Sequence, residues 1–300
     1  MNAIEIRGLK KSFRGLYAVD GLDMTVPQGA IYGFIGENGS GKSTTEKLIC
    51  GHLVPSGGKI RLFGKSYTDA GVRARVGALI ENTGCFPQST IYQNLMMQAI
   101  NLNLKSPNAE IHRVLRIVRM DGEASLKFKK CSLGMKQRVG IAMALLGDPA
   151  LLILDEPING LDADGMRLMR EILVDITKNS GATVLISSHI LGELEKIATH
   201  YGIIRQGKMV QELSAKEMEG RCRTFTTVQS PQLKSAFLTL RKRYPDVRLE
   251  EGAIRVYDAN DTEAITAYLL QSEIPVSGIV KNRIGLEEYY IELMSKKESA

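Results

Sequence analysis

The chain has 300 residues, 44% of them hydrophobic and 24% charged, a balance that allows a sizeable buried core, suggests about two domains and excludes a disordered or fibrous class. The net charge of +6 permits an anionic partner, but the 39 Lys and Arg residues are spread along the chain as on a solvated surface, so no direct nucleic-acid contact is expected. Cys50, Cys85, Cys131 and Cys222 show neither C-x-x-C spacing nor pairing with the four histidines, which argues against a zinc site or disulfide framework and fits a reducing cytoplasm.

In chain order, residues 4–9 and 22–26 alternate as half-exposed antiparallel strands do. Glu5, Arg7, Lys10 and Lys11 lie within or directly after the first of them, so no signal peptide is expected. The apolar run 30–35 predicts a strand, and directly after it comes Gly36-Glu37-Asn38-Gly39-Ser40-Gly41-Lys42-Ser43-Thr44. That is a phosphate-binding loop. Its glycines let backbone N–H groups turn inward around phosphates, Lys42 reaches the β- and γ-oxygens, and the Ser43 hydroxyl is set to ligate Mg²⁺. A helix starting near Lys42 adds its positive end to the site.

Residues 58–64 predict a further strand and 76–80 a buried one. Between about 86 and 146 strand signals vanish, while 90–104, 109–119 and 136–146 look helical, which predicts a helical subdomain inserted into an α/β core. Residues 150–154 and 183–186 are short apolar runs, the pattern of parallel strands covered on both faces. The longest apolar stretch, 140–154, is cut by Asp148-Pro149 and falls short of the roughly 18 residues a membrane span needs. Work at a membrane would therefore need another chain to cross it.

Residues 201–213 read as a closing hairpin about Gly207, and 214–217 as the start of a linker helix. From about Arg221 a small α+β unit is expected: strand 224–228, helix 231–244, a hairpin turning at Glu251-Gly252, helix 261–271, strand 276–281 and helix 286–294. It carries no chemical motif. The expected division is a nucleotide-binding domain over 1–219 and an accessory domain over 220–300, with only the last few residues looking disordered.

The chemistry concentrates further along the first domain. Leu151-Leu152-Ile153-Leu154-Asp155-Glu156-Pro157 is an apolar strand ending in two carboxylates, a costly arrangement unless they have a cationic task. Asp155 is placed to hold Mg²⁺ alongside Ser43, and Glu156 to orient and deprotonate the water that attacks the γ-phosphate. Ser132-Leu133-Gly134-Met135-Lys136-Gln137-Arg138-Val139 opens a helix with Ser132 as N-cap, and His189 follows the strand that ends in Ser187-Ser188.

Taken in this order and at these spacings, the elements resemble those of the ATP-binding cassette (ABC) ATPases over about residues 1–215. The resemblance implies a P-loop NTPase α/β fold with a parallel core sheet, an antiparallel β-subdomain and the inserted helical subdomain, binding ATP and Mg²⁺. Asp155 and Glu156 match the family's metal-binding and general-base positions, and His189 its switch histidine beside the γ-phosphate. Asn159-Gly160-Leu161-Asp162 matches the loop that couples two active sites in a dimer, with Asp162 as its acidic member. Ser132 and Gly134 match the signature that touches the γ-phosphate of an ATP held by the opposite subunit, a task suited to a helix N-terminus. Phe13 stands where such proteins stack the adenine, with Tyr17 as second choice.

Departures are informative. Leu133 and Met135 replace a Gly and the Gln of the common signature, and Glu81 replaces a glutamine, where it adds negative charge beside phosphates yet still offers an Mg²⁺ ligand. With Pro87, these variations look like the exporter ATPases associated with bacitracin resistance and lantibiotic immunity. That resemblance implies a homodimer on the cytoplasmic side of a bacterial membrane, docked near residues 85–94 onto a separate permease, and export of an antimicrobial peptide. Two rival readings are a soluble ABC ATPase acting on nucleic acid or ribosomes, and a regulatory subunit that binds ATP without hydrolysis. The chain lacks the long coiled-coil insertion or second cassette of the first, and the intact Glu156 and His189 weigh against the second.

Overall fold

The computed structural model describes residues 1–221, 224–250, 252–259 and 261–296; the expectations for Cys222, for Glu251 in the hairpin turn and for the last few residues lie outside the described residues. The chain divides into two compact units, Met1–Ala215 and Lys216–Ala300.

The first unit opens with two antiparallel strands, β1 (Asn2–Phe13) and β2 (Leu16–Pro27), whose alternation turns Ile4, Ile6, Leu22, Met24 and Val26 fully inward. β3 (Ile31–Ile35) is buried at every residue and runs through the loop into α1 (Lys42–Ile49). β4 (Gly57–Leu62) and β5 (Lys65–Ser66) complete a sheet in the order β2-β1-β4-β5. A short α2 (Ala70–Arg73) leads to β6 (Val76–Leu79), followed by three helices, α3 (Ile91–Asn101), α4 (Pro107–Ile117) and α5 (Leu133–Leu145). α3 starts at a capping box in which Thr90 and Gln93 each accept the other's backbone N–H.

The chain then runs through β7 (Leu151–Asp155), α6 (Ala163–Ser180), β8 (Thr183–Ser188), α7 (Leu191–Glu195), β9 (His200–Arg205), β10 (Lys208–Ser214) and α8 (Ala215–Arg221). A helix absent from the expectations, α6, fills the stretch after Asp162. Asp162 caps it by accepting from Gly165 N–H, Gly181 ends it at φ +68°, and Met169, Ile172, Leu173 and Ile176 form its buried stripe.

The central sheet has the order β10-β9-β3-β8-β7-β6, with β9 through β6 parallel and β10 antiparallel. One expectation needs correction here. β6 is the edge strand, bonded to β7 on one side only, and of its residues Leu79 alone is buried. An apolar run reports strand-forming character but not its place in the sheet order. That order has a functional consequence: β3, β8 and β7 are neighbours, so the segments after their carboxyl ends converge at one edge, where open α/β sheets bind ligands.

The second unit runs β11 (Thr224–Gln229), α9 (Leu233–Arg241), β12 (Val247–Glu250), β13 (Ala253–Tyr257), α10 (Thr262–Gln271), β14 (Gly278–Arg283) and α11 (Leu286–Lys296). Its antiparallel sheet, ordered β12-β13-β11-β14, has the βαββαβ topology of ferredoxin-like folds. Val228, Ile254 and Val256 from the strands pack against Leu240, Ile265 and Leu269 from α9 and α10.

Candidate functional site

The loop after β3 closes on itself because two of its positions admit no side chain. A Cβ on Gly36 would lie 2.5 Å from Ser40 Oγ and 2.6 Å from Ile204 O. Gly41, at φ +108°, would place one 2.5 Å from Ala18 O. Lys42 is only 6% exposed, and its Nζ donates to the carbonyls of Gly36 at 2.6 Å and Glu37 at 3.2 Å. A buried ammonium held only by loop carbonyls is available to phosphate oxygens as stronger, charge-assisted acceptors. Thr45 Oγ1 donates to Gly41 O at 2.9 Å, pinning the first turn of α1 to the loop.

A cavity of about 430 Å³ opens over this loop. Asn38, Gly39, Gly41, Lys42, Ser43 and Thr44 line it, joined by Phe13 and Ala18 from β1 and β2 and by Asp155 and Glu156 from the end of β7. Gly36 and Ser40 shape the loop from behind, with Ser40 buried and its hydroxyl without a partner. Phe13 is half exposed, with the Lys11 ammonium 5.0 Å from its ring centroid; Tyr17 does not line the cavity.

Behind Asp155 and Glu156 stands Ser187 at the end of β8. Its hydroxyl donates to Asp155 Oδ1 at 2.7 Å and accepts Glu156 N–H at 3.1 Å, so one side chain orients both carboxylate residues. Glu156 sits at φ +49°, an uncommon conformation for a non-glycine residue, and its Oε2 meets His189 Nδ1 at 2.8 Å. Hydroxyl and carboxylate oxygens are the donors a hard cation such as Mg²⁺ takes, and Ser43 and Asp155 both line this cavity.

The structure does not bring Glu81 into this cavity. It follows β6 at φ +61°, is 57% exposed at its side chain and bonds Lys47 Nζ on α1 at 2.5 Å. Ser132 and Gly134 also lie elsewhere. Ser132 Oγ caps α5 by accepting Met135 N–H at 3.3 Å, and the two residues line a separate cavity of about 380 Å³ with Leu161 and Asp162.

Two residues escaped the sequence reading. Ser187 had a visible signal, a polar pair closing an otherwise apolar strand. Glu46, in α1, had none, since a glutamate on a helix is ordinarily solvated; here it is fully buried. Burial, then the neighbouring Asp155, push its carboxyl well above the usual range, and burial together with Glu46 pushes the Cys50 thiol up to about 12.

Comparison with known proteins bears on the family and the fold. The ABC transporter family model matches residues 19–159. The chain is 35% identical over 297 residues to the bacitracin transport ATP-binding protein BcrA of Bacillus licheniformis, covering 97% of each. It is 37% identical over 217 residues, 72% of this chain and 92% of the relative, to the lantibiotic transport ATP-binding protein SrtF of Streptococcus pyogenes. The structure of cbiO1 from Clostridium perfringens, part of an ABC transporter complex, superposes with a TM-score of 0.67 at 25% identity, covering 81% of this chain and 96% of that one. Among the described residues no helix is long and apolar enough to cross a membrane.

Proposed function

The chain belongs to the ABC transporter family as an ATP-binding, ATP-hydrolysing subunit, and from that premise we propose that two copies pair head to tail and drive a separate membrane permease. The observation that carries this reading is the separation of two sets of residues. Lys42, Ser43, Asp155 and Glu156 share one cavity, while Ser132, Gly134 and Asp162 share another with no residue in common. A signature helix that lines a different cavity from its own phosphate loop is completed by a second copy, whose ATP its N-terminus would meet.

In this reading Phe13 stacks the adenine, and the N–H groups of residues 36–44 with Lys42 hold the phosphates. Ser43 and Asp155 hold Mg²⁺, and Glu81 joins them only when its pair with Lys47 opens. Mg²⁺ bound there neutralises charge on the β- and γ-phosphates. Glu156 takes the proton of the attacking water; the His189 contact at 2.8 Å aims its carboxylate, and Ser187 fixes its backbone. Asp162, capping α6 at 2.9 Å beside the signature cavity, couples the two sites.

The permease docks on the segment joining β6 to α3. Asn94 grips the Phe86 backbone from both sides, accepting its N–H at 2.7 Å and donating to its carbonyl at 3.2 Å, and Phe86 as a whole is 60% exposed. Such docking places the subunit on the cytoplasmic face of the membrane. The names of the BcrA and SrtF relatives support a bacitracin or lantibiotic type of substrate; that it is moved outward is part of the proposal, decided by resistance. In a sensitive host, co-expression with a candidate permease is expected to raise resistance to such peptides over the permease-only strain, and the Glu156→Gln form is expected not to. Equal sensitivity in all three strains would overturn the export reading.

A further inference from the structure

The turn joining β9 to β10 belongs to none of the motifs, yet it is built into the nucleotide site. Gln206 and Gly207, its two central residues, stand at φ +49° and +76°, as a two-residue hairpin of this hand requires. Gly207 N–H donates to Ser40 O in the phosphate loop at 2.8 Å, and Gly207 O accepts Asp20 N–H of β2 at 2.9 Å. No side chain fits between these three backbones. A Cβ on Gly207 would lie 2.9 Å from Ala18 O and from Val19 Cα, and one on Gly41 would lie 2.5 Å from the same Ala18 O and 3.5 Å from Gly207 Cα.

We propose that Gly207 is a positioning residue for ATP: bonded to β2 on one side and to the phosphate loop on the other, it fixes the separation between the adenine end and the phosphate end of the site. This deepens, and rests on, the reading that Phe13 stacks the base while residues 36–44 hold the phosphates. Phe13 and Ala18 belong to one hairpin, in which Lys10 pairs with Asp20, so whatever holds Asp20 holds the adenine end. At the phosphate end, a planar trans peptide points Ser40 C=O and Gly41 N–H in opposite directions; with the carbonyl drawn to Gly207, that N–H faces away from the turn. A ligand that spans two sites gains from both at once only when their spacing is fixed beforehand.

The test uses the full-length protein and measures binding of ATP, tripolyphosphate and adenosine by calorimetry or ligand-observed NMR, with a thermal melt of each variant. Gly207→Ala adds the Cβ that drives β2 from the loop. It is expected to weaken ATP binding at least about tenfold, while tripolyphosphate and adenosine, each touching one end, change by less than about twofold. Gly207→Asn carries the same Cβ but tolerates the positive φ, and decides the matter if the alanine variant does not fold. Unchanged ATP affinity in the folded variants would overturn the proposal. So would a loss for either fragment as large as that for ATP, which would make Gly207 a prop for one end alone. If in the wild type either fragment fails to displace ATP, the assignment of the two ends falls instead, and the proposal with it.

Discussion

His189 Nδ1 lies 2.8 Å from Glu156 Oε2, across the ends of the neighbouring parallel strands β8 and β7. The two residues are 33 positions apart in the chain and are joined only because β7 and β8 pair in register, Asp155 opposite Ser187. With Glu156 as general base, Glu156→Gln keeps the size and the His189 contact but removes proton acceptance. Hydrolysis should fall by roughly 10²–10⁴-fold with ATP binding retained, and the protein should accumulate as an ATP-bound dimer. Turnover close to wild type would rule the assignment out.

Sharing of the site between copies predicts complementation. Lys42→Ala and Ser132→Arg subunits should each be nearly inactive, whereas their mixture forms one intact composite site and regains part of the ATPase rate. A demonstrated mixed dimer with no recovery would contradict the shared geometry.

Phe13 touches only the base in the proposed pose, so Phe13→Ala should weaken ATP binding by about tenfold, from a stacking contribution of roughly 1–3 kcal/mol. Binding of inorganic tripolyphosphate should hardly change. Equal losses for both ligands, measured by calorimetry, would show that Phe13 supports the loop and not the adenine.

The raised carboxyl of Glu46 predicts a pH dependence of stability. The unfolded chain ionises this group near its ordinary value of about 4.3, while the folded chain keeps the proton to higher pH. Between those values the folded state binds more protons, so wild-type stability falls as pH rises through the window. A Glu46→Leu variant, which lacks the group, should therefore show an advantage in melting temperature over the wild type that is larger at pH 7 than at pH 4. An advantage independent of pH would mean the carboxyl ionises normally in the fold.

The Cys50 thiol, pushed up to about 12 by burial, is almost wholly protonated at pH 8. Alkylation there should be slow in the native protein and fast in denaturant, as peptide mapping can follow. Rapid native labelling would show that the end of α1 opens readily.

The phosphate loop, the strand ending in Asp155 and Glu156, and the helix opened by Ser132 were legible from sequence, because each is local. Contiguous residues supply the loop's N–H groups, the apolar run and the helix cap. The same holds for the βαββαβ order of the second unit, whose elements follow one another with ordinary turns. Sheet order was not legible. It made β6 an edge strand and set β8 beside both β3 and β7, and through that neighbourhood brought His189 to Glu156 and Ser187 to Asp155. It is equally tertiary structure that buries Glu46, turns Glu81 toward Lys47 and parts Ser132 from Lys42. Periodicity along a chain says which face of an element is apolar; which element then covers that face is decided by long-range packing.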